Sequence, residues 1–121
     1  MRWLSFTKRW RLLWAGQWID VENHWQYLSL WPPALHVRSR LCCDGRPLDL
    51  FEVTLNGEPP PGHVVLRGFA HDGGGREVLV RAVIGPKNWF QVGCRIYVDG
   101  CLAGGDTRAM LFDAVTRQPL D

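Results

Sequence analysis

The chain reads as an all-β protein, an antiparallel β-sandwich or small barrel built from two related hairpin units. Three observations predict this. Apolar and polar residues alternate along several stretches, the period-2 pattern of half-buried strands. Clusters of Gly, Pro, Asn and Asp separate those stretches at short spacing, as in sandwiches and barrels. Finally, Arg40-Leu41-Cys42-Cys43-Asp44-Gly45 and Arg95-Ile96-Tyr97-Val98-Asp99-Gly100 share one design, 55 positions apart. Asp and Gly tolerate the positive φ angles of a type I′ turn, so an apolar run stopped by Asp-Gly marks a hairpin. No stretch offers the crossover helices that a parallel sheet requires. A length of 121 residues suits one core. The expected organisation is a single domain over 1–121, with residues 1–7 a candidate disordered terminus.

Taken in order, residues 10–14 and 18–23 read as two strands about Ala15-Gly16. Trp3, Phe6, Trp10, Leu13, Trp14 and Trp18 also fit helical spacing, and periodicity leaves both readings open there. Pro32-Pro33 makes residues 28–34 a surface connection. From Leu35 to Cys43 the alternation is regular, and residues 48–55 should return antiparallel after Asp44-Gly45. Asn56-Gly57 and Pro59-Pro60-Pro61 form the next irregular segment, followed by a strand over 63–70 and a turn at Gly73-Gly74-Gly75. Val78, Val80, Ala82 and Ile84 share one face of a core strand, and Phe90, Val92, Cys94, Ile96 and Val98 share that of the next. Residues 100–106 hold a second glycine pair at Gly104-Gly105. Over 107–116 a short helix and an edge strand both fit, with the strand favoured.

The order Asn23-His24-Trp25, the first Asp-Gly hairpin, Gly75 before an alternating strand, and Cys94-Arg95-Ile96-Tyr97-Val98-Asp99-Gly100-Cys101-Leu102 resembles a group of small uncharacterised bacterial proteins over about residues 10–106. The paired hairpins, Val98-Asp99-Gly100 and Leu55-Asn56-Gly57 are similar to pieces of the Fas apoptotic inhibitory molecule family, which implies a β-sandwich. Neither resemblance brings a catalytic residue, cofactor or ligand with it.

Composition narrows the function classes. A net charge of +2 gives no general affinity for nucleic acid. No apolar run reaches the ~20 residues of a membrane span. Lys8, Arg9 and Arg11 interrupt any export-type apolar segment, so a cytoplasmic location is expected. There the four cysteines stay reduced thiols. Cys42, Cys43, Cys94 and Cys101 could form a thiolate metal site or a Cys-dependent enzyme only as an alternative. Cys42 and Cys43 point to opposite faces of a strand, unlike the spaced pairs of zinc knuckles. No cofactor is expected, and no nucleophile–base or paired-carboxylate arrangement announces an enzyme.

The oddity is tryptophan. Of seven, five fall in the first 25 residues, beside Arg2, Lys8, Arg9 and Arg11. Trp25 and Trp89 are expected in the core. Trp10, Trp14 and Trp18 are candidates for an exposed contact with a protein partner or a second copy, with Arg38, Arg40 and Arg95 as its polar complement, because Trp and Arg are enriched at interface hot spots. A small-molecule or lipid carrier binding between the sheets is the other non-enzymatic reading.

Overall fold

Eight antiparallel strands follow from the turn chemistry. The computed structural model describes residues 4–89 and 91–120, so Arg2, Trp3 and Phe90 of the readings above lie outside the described residues. Strands β1 (Ser5–Trp14), β2 (Gln17–Leu30), β3 (Pro33–Cys43) and β4 (Arg46–Leu55) form one sheet in sequential order. Strands β5 (Val64–His71), β6 (Glu77–Pro86), β7 (Val92–Val98) and β8 (Cys101–Gly105) form the other. Inward side chains of both sheets make one core, with Ile19, Val21 and Leu41 packed with Leu66, Val80 and Ile96, all at most 1% exposed. The molecule is thus an all-β sandwich of two four-stranded sheets.

The hairpins at Asp44-Gly45 and Asp99-Gly100 repeat each other in detail. Their φ angles are 49° and 79° in the first, 54° and 81° in the second, the signature of type I′ turns. Asp44 N–H donates to Trp18 O on β2, and Asp99 N–H donates to Leu79 O on β6, at 2.8 and 2.9 Å. Both hairpins also carry the same register shift. Leu41–Asp49 is followed by Cys42–Pro47, and Ile96–Gly104 by Tyr97–Leu102, leaving Leu48 and Ala103 as the extra residues of two matching bulges.

Several boundaries differ from those expected. The N-terminal segment is a hairpin about Ala15-Gly16, and it includes Ser5, Phe6 and Thr7, paired with Gln26, Trp25 and His24. Residues 28–34 are mostly strand, because Pro33 occupies the first position of β3, where a missing N–H is tolerated. The stretch that carries the second glycine pair is β8. Its backbone pairs with β7 whatever its side chains, and Gly104 leaves room for Leu12 of β1. Residues 107–120 form neither helix nor named strand. They fold back through an isolated Phe112–Pro119 bridge. Leu111, fully buried, anchors this segment.

The sheets meet along two seams, β1 beside β8 and β4 beside β5. An aspartate bridges each. Asp49 of β4 accepts from Arg67 N–H of β5 at 2.9 Å. Asp106, just past β8, accepts from the Trp10 indole N–H of β1 and from Cys94 N–H, both at 3.0 Å.

Candidate functional site

Strand parity decides where each candidate residue goes. On β1 the even positions face inward, so Trp10 is 8% exposed and Trp14 packs half-buried against the core. On β2 Ile19 and Val21 take the inward positions, which turns Trp18 outward, 42% exposed, with Arg11 stacked 4.4 Å from its ring. Trp10, Trp14 and Trp18 therefore present no common surface. Trp89, expected in the core, lies between β6 and β7 and is 77% exposed, with Arg117 4.3 Å from its ring. Trp25 is half-buried.

The basic residues divide in the same way. Arg38 and Arg40 lie on the outer face of the first sheet, and Arg95 on the outer face of the second, because Cys94 and Ile96 fill the core beside it. The two faces point in opposite directions, so the three arginines do not form one patch. Arg38 and Arg40 instead converge on Glu22, a residue composition had not singled out. Its carboxylate takes Arg9 at 2.6 Å, Arg38 at 3.5 Å and Arg40 at 3.6 Å. The Arg9 hydrogen bond outweighs burial and, with the charges of Arg40 and Arg38, holds Glu22 below the usual carboxylate range. An internal anion thus already occupies this cluster.

The cysteines are distributed as their parity requires. Cys42 faces outward on β3, and Cys43 faces inward, its thiol 3.2 Å from Gln17 Oε1. Cys94 is fully buried in the opposite sheet, and Cys101 is exposed. Burial pushes the Cys94 thiol far above its ordinary range, with Asp106 adding to the effect, so it is a poor thiolate. Among the described residues no group of three His, Cys, Asp or Glu side chains could hold a metal ion.

What the fold does assemble is a cleft at the end opposite the Asp-Gly turns. Successive inward rows of the first sheet change character toward that end. Trp10, Val21 and Leu41 belong to the main core. The next row is Lys8, Asn23 and Ser39, where Ser39 Oγ donates to Asn23 Oδ1 at 2.9 Å. Beyond it come Phe6, Trp25 and Val37, then Tyr27 and Leu35. Leu35, Val37 and Leu55, with Trp25 and Tyr27 against them, make a second apolar cluster beyond the polar row. Opposite this cluster β6 and β7 end, and the sheets part. The mouth, about 520 Å³, lies between Phe6, Trp25 and Tyr27 on one side and Trp89 and Val92 on the other. An inner chamber of about 110 Å³ continues between Trp25, Val37, Pro61, Ile84 and Ala114.

Comparison with known protein families, curated proteins and solved structures found no match. The chemistry of the cleft therefore rests on its own side chains. Among the described residues no carboxylate lines the mouth or the inner chamber. Lys8 crosses the gap between the sheets and donates to Val92 O at 2.7 Å. The Trp25 indole N–H is buried and has no acceptor among the described residues. At the back, His63 Nδ1 and Asp113 Oδ2 stand 2.6 Å apart, and Ala114 N–H donates to Gly62 O, which closes the chamber. Sequence reasoning passed over Lys8 as a site residue. Its signal was present, a lone cation within the inward set Phe6, Lys8, Trp10, Leu12 and Trp14.

Proposed function

We propose that this chain is a non-enzymatic binding module that holds a small, largely apolar molecule in the cleft between its sheets. The observation that carries this reading is the buried Trp25 indole N–H without an acceptor, set in an aromatic cleft. An unsatisfied buried donor costs ~1–3 kcal/mol, a cost that a ligand acceptor would offset if the indole turns to meet it. Apolar walls with a few convergent polar groups are the usual form of a small-molecule site. Among the described residues the cleft lining holds one imidazole, His63, neither cysteine nor serine, and one threonine, Thr7, whose hydroxyl stands 2.7 Å from His24 Nδ1.

A protein contact is a second reading, and its support has moved away from Trp10 and Trp14. The β2–β3 hairpin overhangs β1 and β4, and near its tip Leu28, Leu30 and Trp31 are 50%, 52% and 91% exposed. Native mass spectrometry with light scattering, on protein purified without denaturation, tests both readings. A monomer carrying a small organic adduct is the expected outcome. A dimer without an adduct would favour the hairpin tip instead. A bare monomer that takes up no apolar probe would count against the cleft.

A further inference from the structure

We infer that the cleft selects an anionic amphiphile, a molecule with a carboxylate-type head and a short hydrocarbon or aromatic body. This deepens the reading above and rests on it. The walls supply the apolar part: Phe6, Trp25, Tyr27 and Trp89 come from three separate segments and surround the mouth. Charge supplies the rest. Lys8 sits on the inner face of an edge strand, half-buried, and has no carboxylate within ion-pair distance among the described residues. Its hydrogen-bond partner is a neutral carbonyl, Val92 O, and it also lies 5.4 Å from the centroid of the Trp10 ring. A half-buried ammonium served by one carbonyl keeps two donors for another acceptor.

Trp25, which lines the same mouth, carries a second donor, its buried indole N–H, without an acceptor among the described residues. Both groups are donors, and among the described residues no acid lines the mouth or the chamber, Asp113 behind the chamber being paired with His63. An aromatic cage could also attract an organic cation through its ring faces, but Lys8 places a like charge in its wall. An inward lysine on an edge strand can also serve to block edge pairing, a role that makes no demand on ligand charge. The two roles therefore predict different selectivities.

Titration of the intact chain with octanoate, octanol and octylamine, followed by calorimetry and tryptophan fluorescence, separates them. Octanoate should bind more tightly than either of the others by roughly tenfold or more, the effect of a charge-assisted hydrogen bond. Lys8→Gln should bring octanoate down to the octanol level, Lys8→Arg should retain the preference, and Trp25→Phe should weaken octanoate several-fold. Equal binding of octanoate and octanol, unchanged in Lys8→Gln, would overturn the anion preference while leaving the cleft as an apolar site. Tightest binding of octylamine would overturn it in favour of a cation cage. If none of the three binds, the cleft reading fails and the anion preference with it. The selectivity of the unmodified chain decides the matter even if Lys8→Gln does not fold.

Discussion

Asp106 shows how much one side chain can hold. Burial alone would raise its pKa, but hydrogen bonds from Cys94 N–H and the Trp10 indole, with the Lys87 ammonium at 3.4 Å, keep it below the ordinary carboxylate value. Asp106→Ala would leave two partly buried donors unmet, and we expect a loss of about 2–4 kcal/mol by denaturant titration. Asp113 makes a different prediction. Hydrogen bonds from Thr116 N–H first, then His63, with Val115 N–H, lower its pKa from 3.8 to about 2. A depressed acid stabilises the fold above its unfolded pKa and loses that contribution as pH falls through its folded value. The Asp113 contribution is therefore complete above pH 3.8 and lost toward pH 2. Thermal melts of Asp113→Asn should be less pH-dependent over that interval than those of the unmodified chain.

Among the elements, the β1–β2 turn is the least well matched to its sequence. Four hairpins have two-residue loops; three of them adopt positive φ at both central positions, the fourth being the cis Trp31-Pro32 turn, yet here the first such residue is Ala15, at 49°. The other two place Asp there, whose short polar side chain tolerates the left-handed region. Replacing Ala15 by Asn should raise stability by up to about 1 kcal/mol, read as a higher denaturation midpoint at unchanged m-value. The Asp-Gly turns were legible in the chain for the same reason: turn chemistry is local, and few residue pairs satisfy it. β8 was not. Its Gly104-Gly105 pair has low strand propensity, and it is a strand because β7 offers it a ladder and Leu12 fills the space a side chain would have taken. The segment 107–116 was ambiguous for the converse reason, since its order comes from backbone bonds to Pro86 and Gly62.

The whole molecule is two four-stranded sheets that share one Asp-Gly hairpin design and are joined face to face, and its two seams are built differently. At the β1–β8 seam Leu12 of β1 lies over Gly104 of β8. At the β4–β5 seam Leu48 of β4 lies over Gly68 of β5. In each, a large side chain fills the place of a missing one, but the strand supplying the glycine is exchanged. A Cβ at position 68 would sit 2.5 Å from Leu48 Cβ, which is close to the backbone and cannot swing away. At position 104 the nearest atom is Leu12 Cδ1 at 3.1 Å, a mobile chain end. Gly68→Ala should therefore cost about 1–3 kcal/mol, and Gly104→Ala clearly less, when their urea midpoints are compared.

Local rules determined the class of fold, the antiparallel pairing, the two Asp-Gly turns and the facing of each alternating strand, because turn chemistry and period-2 patterning act between near neighbours. The opposed directions of Cys42 and Cys43 followed from that parity alone. The tertiary structure decided which faces met. It buried Trp10 against Asp106, set Arg38 and Arg40 back to back with Arg95, and gathered Phe6, Lys8, Trp25 and Trp89 around one cleft. Such meetings depend on how two sheets twist, end and part, and residues that lie 84 positions apart in the chain, as Lys8 and Val92 do, carry no local mark of the contact that joins them.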